Sequence, residues 1–260
     1  VLFRSRRKQI PDTMWAFKMF LDSLPKEKAD KCRLLMHTEL VHEAGTDLVA
    51  VNELLFSDSY PNAVVFDPKK WSTEELNMLY NMTDCQILLT SNEGWGLTLT
   101  EAMLAGNPII ANTTGGMQDQ MRFEDEDGKW FTPTPEIPSN NTGRYKKHGE
   151  WAFPVYPTSR SIQGSPPTPY IFDDRCSIED IAQSVKAVYD LGKDERDRRG
   201  QLGREWAMSD EAQMSAKAMA DNIAECMDQT FEEFIPRTKY DIFKAGIVQP
   251  LKVQHKLTGY

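Results

Sequence analysis

A chain of 260 residues, 40% of them hydrophobic, can bury one substantial core with an appendage, so one main domain is the starting expectation. Its formal net charge of -9 produces a field that repels polyanions, which argues against nucleic acid or an anionic membrane surface as a partner. Cys32, Cys85, Cys176 and Cys226 form no C-x-x-C pair, and no run approaches the roughly 20 apolar residues that span a bilayer. Zinc knuckles, disulfide scaffolds and an integral membrane protein are set aside, and a cytoplasmic protein is expected.

Val1 to Ser5 (VLFRS) resembles translated sequencing-adapter sequence and is read as an artefact, with a genuine strand end as the alternative. From residue 6 onward short apolar runs alternate with amphipathic stretches, the pattern of a parallel sheet flanked by helices. Met14, Phe17, Leu21 and Leu24 recur at helical spacing after Pro11, and Arg33 to Thr38 reads as a strand. Leu48, Val51, Leu54 and Leu55 mark a helix, and Ala63 to Phe66 a buried strand. Ser72 and Glu75 form a capping box for a helix through Asn81. Cys85 to Thr90 is the next strand, Leu97 to Ala105 a helix stopped by Gly106, and Ile109 to Asn112 another strand after Asn107-Pro108.

Between residues 133 and 169 prolines crowd the chain, and an irregular insertion is expected there. Helical periodicity resumes with Ile178, Ile181, Val185 and Tyr189, followed by the charged segment Asp194 to Trp206. A last long helix places Met219, Ile223, Met227, Phe231 and Phe234 on one stripe. These patterns divide the chain into a main domain over 6–207 and a C-terminal helix and tail over 208–260.

Chemistry concentrates between Thr90 and Gly116. A strand ends at Thr90, a tight loop holds Gly94 and Gly96, and a helix starts near Leu97, so unpaired N–H groups face the crevice at the carboxyl edge of the sheet. Such a helix start attracts phosphate through its donors and its roughly half-unit positive dipole charge. Two glycines alone fit an ordinary turn as well. The carboxylates sharpen the reading: Glu101 near a helix start has a plain stabilising role, but Glu93 in the loop would repel an anion unless it faces hydroxyls or a developing cation. Sugar hydroxyls and an anomeric carbon supply both.

The run E-G-W-G-L-T-L-T-E-A-M-L-A-G-N-P-I-I-A-N-T-T-G-G, Glu93 to Gly116, resembles the signature of retaining GT-B glycosyltransferases of family 4. The likeness extends upstream through Trp71-Ser72 to Asp84 and loosely to Arg7-Lys8. Downstream, Asp127 to Phe131 and Ser177 to Asp190 look like the family's closing strand and helix. The resemblance implies a Rossmann-like, doubly wound parallel sheet that binds an NDP-sugar donor without a metal or other cofactor. It implies Glu93 facing the donor sugar near its reacting carbon, Lys8 neutralising the diphosphate leaving group, and Arg7 beside it. Glu101 would hold the ribose hydroxyls. Gly94 and Trp95 would offer backbone donors to the sugar, Gly96, Leu97 and Thr98 would contact the sugar or diphosphate, and Gly115-Gly116 would line the pocket. The family's usual arginine about five residues before the lysine has no clear counterpart, since Phe3 stands there and Arg4 is one place off. The family's N-terminal acceptor domain is missing from this reading, so the chain alone is expected to be an inactive fragment; the acceptor could be a glycan, a lipid or a protein.

Two rivals remain open. Asp125 and Asp127 form the D-x-D with which a GT-A transferase holds a divalent cation, although within Glu124 to Gly128 a solvated turn is the plainer reading. A non-catalytic sugar-nucleotide-binding module would keep the same fold. His37 reads as a loop or packing histidine, and His42, His148 and His255 have no partner at metal spacing.

Overall fold

The computed structural model describes residues 6–131 and 143–236. The chain forms two compact units, Val1–Ala212 and Gln213–Tyr260.

In the first unit a single 3-10 turn, Arg6–Lys8, leads into α1 (Ile10–Asp22) and the short α2 (Lys26–Ala29). Then follow β1 (Leu34–Met36), α3 (Leu48–Phe56), β2 (Val64–Phe66), α4 (Thr73–Met82), β3 (Gln86–Leu88), α5 (Leu97–Leu104), β4 (Ile109–Asn112) and α6 (Met117–Gln120). β5 (Ala152–Val155), β6 (Ser159–Ser165), β7 (Thr168–Arg175), α7 (Ile178–Asp190) and α8 (Gly192–Ala207) complete it. β1 pairs with β2, and β3, β4 and β5 pair in that order; every one of these pairings is parallel. All four residues of β4 are buried. Because neighbouring side chains on a strand point to opposite faces, both faces of the sheet are covered there, as an α/β architecture requires.

The helices start where the sequence provides caps. Ser72 and Glu75 complete the reciprocal capping box of α4, the Asp47 side chain accepts from Val49 and Ala50 N–H at α3, and Ser177 caps α7. α1 buries Met14, Phe17, Phe20 and Leu21 against Phe56 of α3, Ile110 of β4 and Ile181 and Val185 of α7. Each such side chain contributes about 1.5 to 3 kcal/mol on burial. This packing fixes α1, and with it the turn carrying Arg7 and Lys8, over the carboxyl end of the strands.

Two expectations need correction. The irregular insertion over 133–169 is regular in its later part, since β5, β6 and the start of β7 fall inside it. Pro154 is accommodated because among the described residues β5 has β4 on one side only, so its missing N–H removes no ladder bond at the free edge. Pro166 and Pro167 make the turn of the antiparallel β6–β7 hairpin, and Pro169 falls where the register slips between Gln163 and Ser165. Residues 132–142 of the expected insertion lie outside the described residues, as do Val1 to Ser5 with Phe3 and Arg4. The second correction concerns the closing strand. Asp127 to Phe131 make a turn with one isolated bridge, Glu124 to Trp130, and β5 takes the place beside β4.

The second unit holds α9 (Ala216–Glu233), capped by the Ser215 side chain. Its stripe of Met219, Ile223, Met227 and Phe231 is exposed, and so is Phe234. Among the described residues no helix is long and apolar enough to cross a membrane.

Candidate functional site

The site grows from the loop between β3 and α5. The backbone N–H of Ser91 donates to the Arg7 carbonyl at 2.8 Å, which ties the loop to the 3-10 turn. The Arg7 guanidinium reaches back over the same loop, donating through Nη1 to Thr90 Oγ1 (3.1 Å), the Asn92 carbonyl (2.7 Å) and Glu93 Oε2 (3.0 Å). Lys8 Nζ donates to the same Glu93 oxygen. The Lys8 and Glu93 side chains are only 13% and 14% exposed, so this charge cluster is poorly screened by solvent. Burial pushes the Glu93 carboxyl upward, yet the hydrogen bonds and charges of Lys8 and Arg7 outweigh it and hold the pKa below its ordinary value. Glu93 is therefore an anion at neutral pH, and the sequence-selected trio Arg7, Lys8 and Glu93 is one contiguous group.

Glycines hold the loop in place. Gly115 has φ +54°, and a Cβ on it would lie 2.0 Å from the Glu93 carbonyl oxygen; a Cβ on Gly116 would lie 2.1 Å from that of Gly94. No other residue allows this approach. The Gly116 N–H donates to the Glu93 carbonyl at 3.2 Å, so the two glycines after β4 brace the loop after β3. Gly96, at φ +87°, is the N-cap of α5 and leaves that helix start without a side-chain cap. Leu97 is exposed on the first turn and Thr98 follows it, with the open N–H groups of the helix start around them.

One turn further along α5, Glu101 is exposed and accepts a 2.6 Å hydrogen bond from the Tyr80 hydroxyl. Burial and the Glu101 carboxylate drive the Tyr80 phenol well above its usual pKa, so it stays a donor. Glu101 thus belongs to the same loop-and-helix unit as Glu93 but has a neutral partner.

Several supporting residues escaped sequence reading. The Gln120 side chain, fully buried, donates to the Trp95 carbonyl at 2.6 Å and the Gly96 carbonyl at 3.3 Å. Its Oε1 accepts from Thr100 Oγ1 (2.8 Å), which in turn accepts from the Trp95 indole N–H (2.9 Å). The Trp95 ring is thereby locked. From the β6–β7 hairpin, buried Asp174 accepts from Thr114 Oγ1 (2.7 Å) and from Arg160 Nε (2.8 Å), and its N–H donates to the Ser91 carbonyl (2.9 Å). Asn112 Nδ2 bridges the Thr90 and Asp174 carbonyls, and Asn92 Nδ2 donates to Asp173 Oδ1 at 2.8 Å. Apart from Trp95 with Thr100 and Arg160 with Asp174, these partners lie 20 or more residues apart, with no spacing signal.

The remaining candidates are placed plainly. Asp125 Oδ1 accepts from the N–H groups of Asp127 (3.0 Å) and Lys129 (2.9 Å), which makes the D-x-D a self-bonded turn. Among the described residues no group of three or more His, Cys, Asp or Glu is arranged to hold a metal ion. His37 packs edge-on against Trp71, with Nδ1 3.1 Å from the Asp67 carbonyl oxygen.

Residues 57–137 match the family model described as glycosyl transferases group 1. A 98-residue segment is 28% identical to a trehalose synthase from Pyrococcus horikoshii, spanning 37% of this chain and 24% of that protein. The fold superposes on an E. coli structure described as trehalose-6-phosphate bound with UDP-2-fluoro glucose, with TM-score 0.56 and 12% identity over 90% of this chain and 43% of that one. It also superposes on sucrose-phosphate synthase from Thermosynechococcus elongatus, with TM-score 0.54 and 17% identity over 87% of this chain and 43% of that one. A glycosyltransferase from Rickettsia africae matches with TM-score 0.53 and 14% identity over 90% of this chain and 47% of that one. The chain thus spans about a quarter of the sequence relative and less than half of each solved structure. In sequence over 57–137, and in its α/β fold over most of its length, the chain is similar to glycosyl transferases of group 1 and to one half of these larger proteins.

Proposed function

We propose that this chain is the donor-binding half of a cytoplasmic, retaining GT-B glycosyltransferase of family 4, which transfers a sugar from an NDP-sugar to an acceptor held largely by an N-terminal domain outside this sequence. The observation that carries this reading is the placement of the anionic Glu93, braced by Gly115 and Gly116 and paired with Arg7 and Lys8, at the uncapped start of α5. Without a donor both cations pair with Glu93, whose single charge leaves the cluster one positive charge in excess. A diphosphate arriving at the helix start competes for them, and its charge is stabilised by Lys8, Arg7 and the backbone N–H groups around Gly96 to Thr98. Glu93 then faces the positive charge that grows at the anomeric carbon as the diphosphate departs. Glu101, on the next turn, accepts from the ribose hydroxyls, and no metal is needed for these steps. Gly94 and Trp95 present backbone donors to the sugar, with the Trp95 ring fixed by Thr100.

The test is calorimetry on this chain with a panel of nucleotide sugars, beside a transfer assay on the chain alone and on the protein with its upstream segment restored. The reading expects weak donor binding and no transfer by the isolated chain, with transfer only in the longer protein. Efficient acceptor glycosylation by the 260 residues alone would contradict the half-enzyme assignment.

A further inference from the structure

Next to Lys8 in sequence lies a feature the donor reading does not use. Gln9, the N-cap residue of α1, has φ +50° and ψ +40°, a left-handed conformation that a side-chain-bearing residue adopts at a cost. The residue is only 3% exposed, yet neither Nε2 nor Oε1 has a hydrogen-bond partner among the described residues. A buried amide with both ends unpaired is costly enough to need an explanation. Gln9 lines a cavity of about 170 Å³, with Arg6, Asp12, Thr46, Leu48 and Arg175 among its walls. The cavity sits at the N-terminus of the 13-residue α1, which has no side-chain cap.

Charge decides what this cavity suits. Arg6 and Arg175 bring two cations and the helix start adds roughly half a positive charge, against one carboxylate, Asp12. Burial pushes the Asp12 carboxyl above its ordinary range, with Arg175 opposing that shift. At nearly six times the ~30 Å³ share of a liquid water, the space fits one small polyatomic ion with accompanying water and excludes a nucleotide.

We propose that this cavity is a second anion site, which binds a phosphate-sized oxyanion between Arg6, Arg175, the Gln9 amide and the N-terminus of α1. The Gln9 amide N–H groups donate to the ion, and its carbonyl accepts from bound water or from a hydroxyl of a phosphomonoester. None of these residues is in the Arg7–Lys8–Glu93 cluster, so the site stands or falls apart from the donor reading.

The experiment is a titration of the full chain with inorganic phosphate, and separately with glycerol 3-phosphate as a minimal phosphomonoester, followed by thermal unfolding and by the Gln9 side-chain amide resonance. Parallel titrations use Gln9→Gly, Arg175→Gln and Lys8→Gln. Gln9→Gly relieves the left-handed backbone and removes the unpaired amide, so it is expected to fold at least as stably as the parent while weakening phosphate binding about tenfold or more. Arg175→Gln should weaken it similarly, and Lys8→Gln should leave it intact. Tighter binding of glycerol 3-phosphate would identify the ligand as a phosphomonoester, and tighter binding of inorganic phosphate the free ion. A phosphate effect lost in Lys8→Gln but retained in Gln9→Gly would assign the ion to the donor site and overturn the proposal. So would no shift of the Gln9 amide at saturating phosphate.

Discussion

Two carboxylates on neighbouring structure, Glu93 in the loop before α5 and Glu101 on its second turn, are held in opposite ways. Glu93 is nearly buried, tied to two cations and braced by backbone from Gly115 and Gly116; Glu101 is exposed and bonded to one neutral phenol. A group held by charge in a poorly solvated place keeps its ionisation and its position, whereas one held by a neutral donor at the surface is free to exchange that donor for a ligand hydroxyl. The proposed function gives these two settings different tasks: Glu93 would stabilise charge during reaction and Glu101 would recognise the nucleotide.

The support of Glu93 should be the easier of the two to break. Gly115→Ala places a Cβ against the Glu93 carbonyl at a position with positive φ, so one of the two loops must move. Equilibrium urea unfolding should register a loss of about 3 kcal/mol or more, with α5 and Glu101 little affected in structure. A wild-type-like midpoint would show that the brace is loose.

A third carboxylate sharpens the comparison. Asp119 of α6 is half-buried with Oδ1 unpartnered among the described residues, and desolvation raises its pKa to about 6. The folded value exceeds the ordinary 3.8, so the protonated form is favoured on folding, and the stability this provides is present below pH 3.8 and lost as pH rises through about 6. Asp119→Asn should therefore stabilise the chain at pH 7 by on the order of 1 kcal/mol and have little effect at acid pH. Glu93 has the opposite sign. Its depressed value contributes stability above the ordinary 4.5 that is lost as pH falls through the native pKa. Glu93→Gln should cost about 2 kcal/mol at pH 7, with the gap to wild type closing as pH drops below that range. Unfolding curves of both variants from neutral to acid pH give the two slopes together.

The smallest effect is expected at Tyr80. Tyr80→Phe removes the only partner contact that involves Glu101's carboxylate among the hydrogen bonds described above, at a surface position. Stability should change by under about 1 kcal/mol, and donor affinity by a few-fold as Glu101 loses its positioning. A tenfold or larger loss of donor affinity would make Tyr80 itself a ligand contact.

Much of this was legible in the sequence because local rules carried it. The Ser72–Glu75 capping box, the apolar period of α1 after Pro11 and the glycine pair after β4 each express a constraint within a few residues. The β6–β7 hairpin was not, because Ser159 to Ser165 (SRSIQGS) has no apolar alternation and its turn is full of proline. With the hairpin went Asp173 and Asp174, whose hydrogen bonds to Asn92 and Thr114 bridge 81 and 60 residues. Gln120 escaped for the same reason, since nothing in a four-residue helix announces that its side chain closes a network on Trp95.

The division of labour between the two glutamates is tested most directly by calorimetry with one nucleotide and its nucleotide sugar on wild type, Glu93→Gln and Glu101→Gln. Glu101→Gln is expected to weaken both ligands about tenfold, because the ribose is common to them. Glu93→Gln is expected to spare the free nucleotide and, in the protein with its N-terminal domain, to lower kcat by about 100-fold with a smaller change in donor affinity. Equal losses of free-nucleotide binding in the two variants would contradict the account.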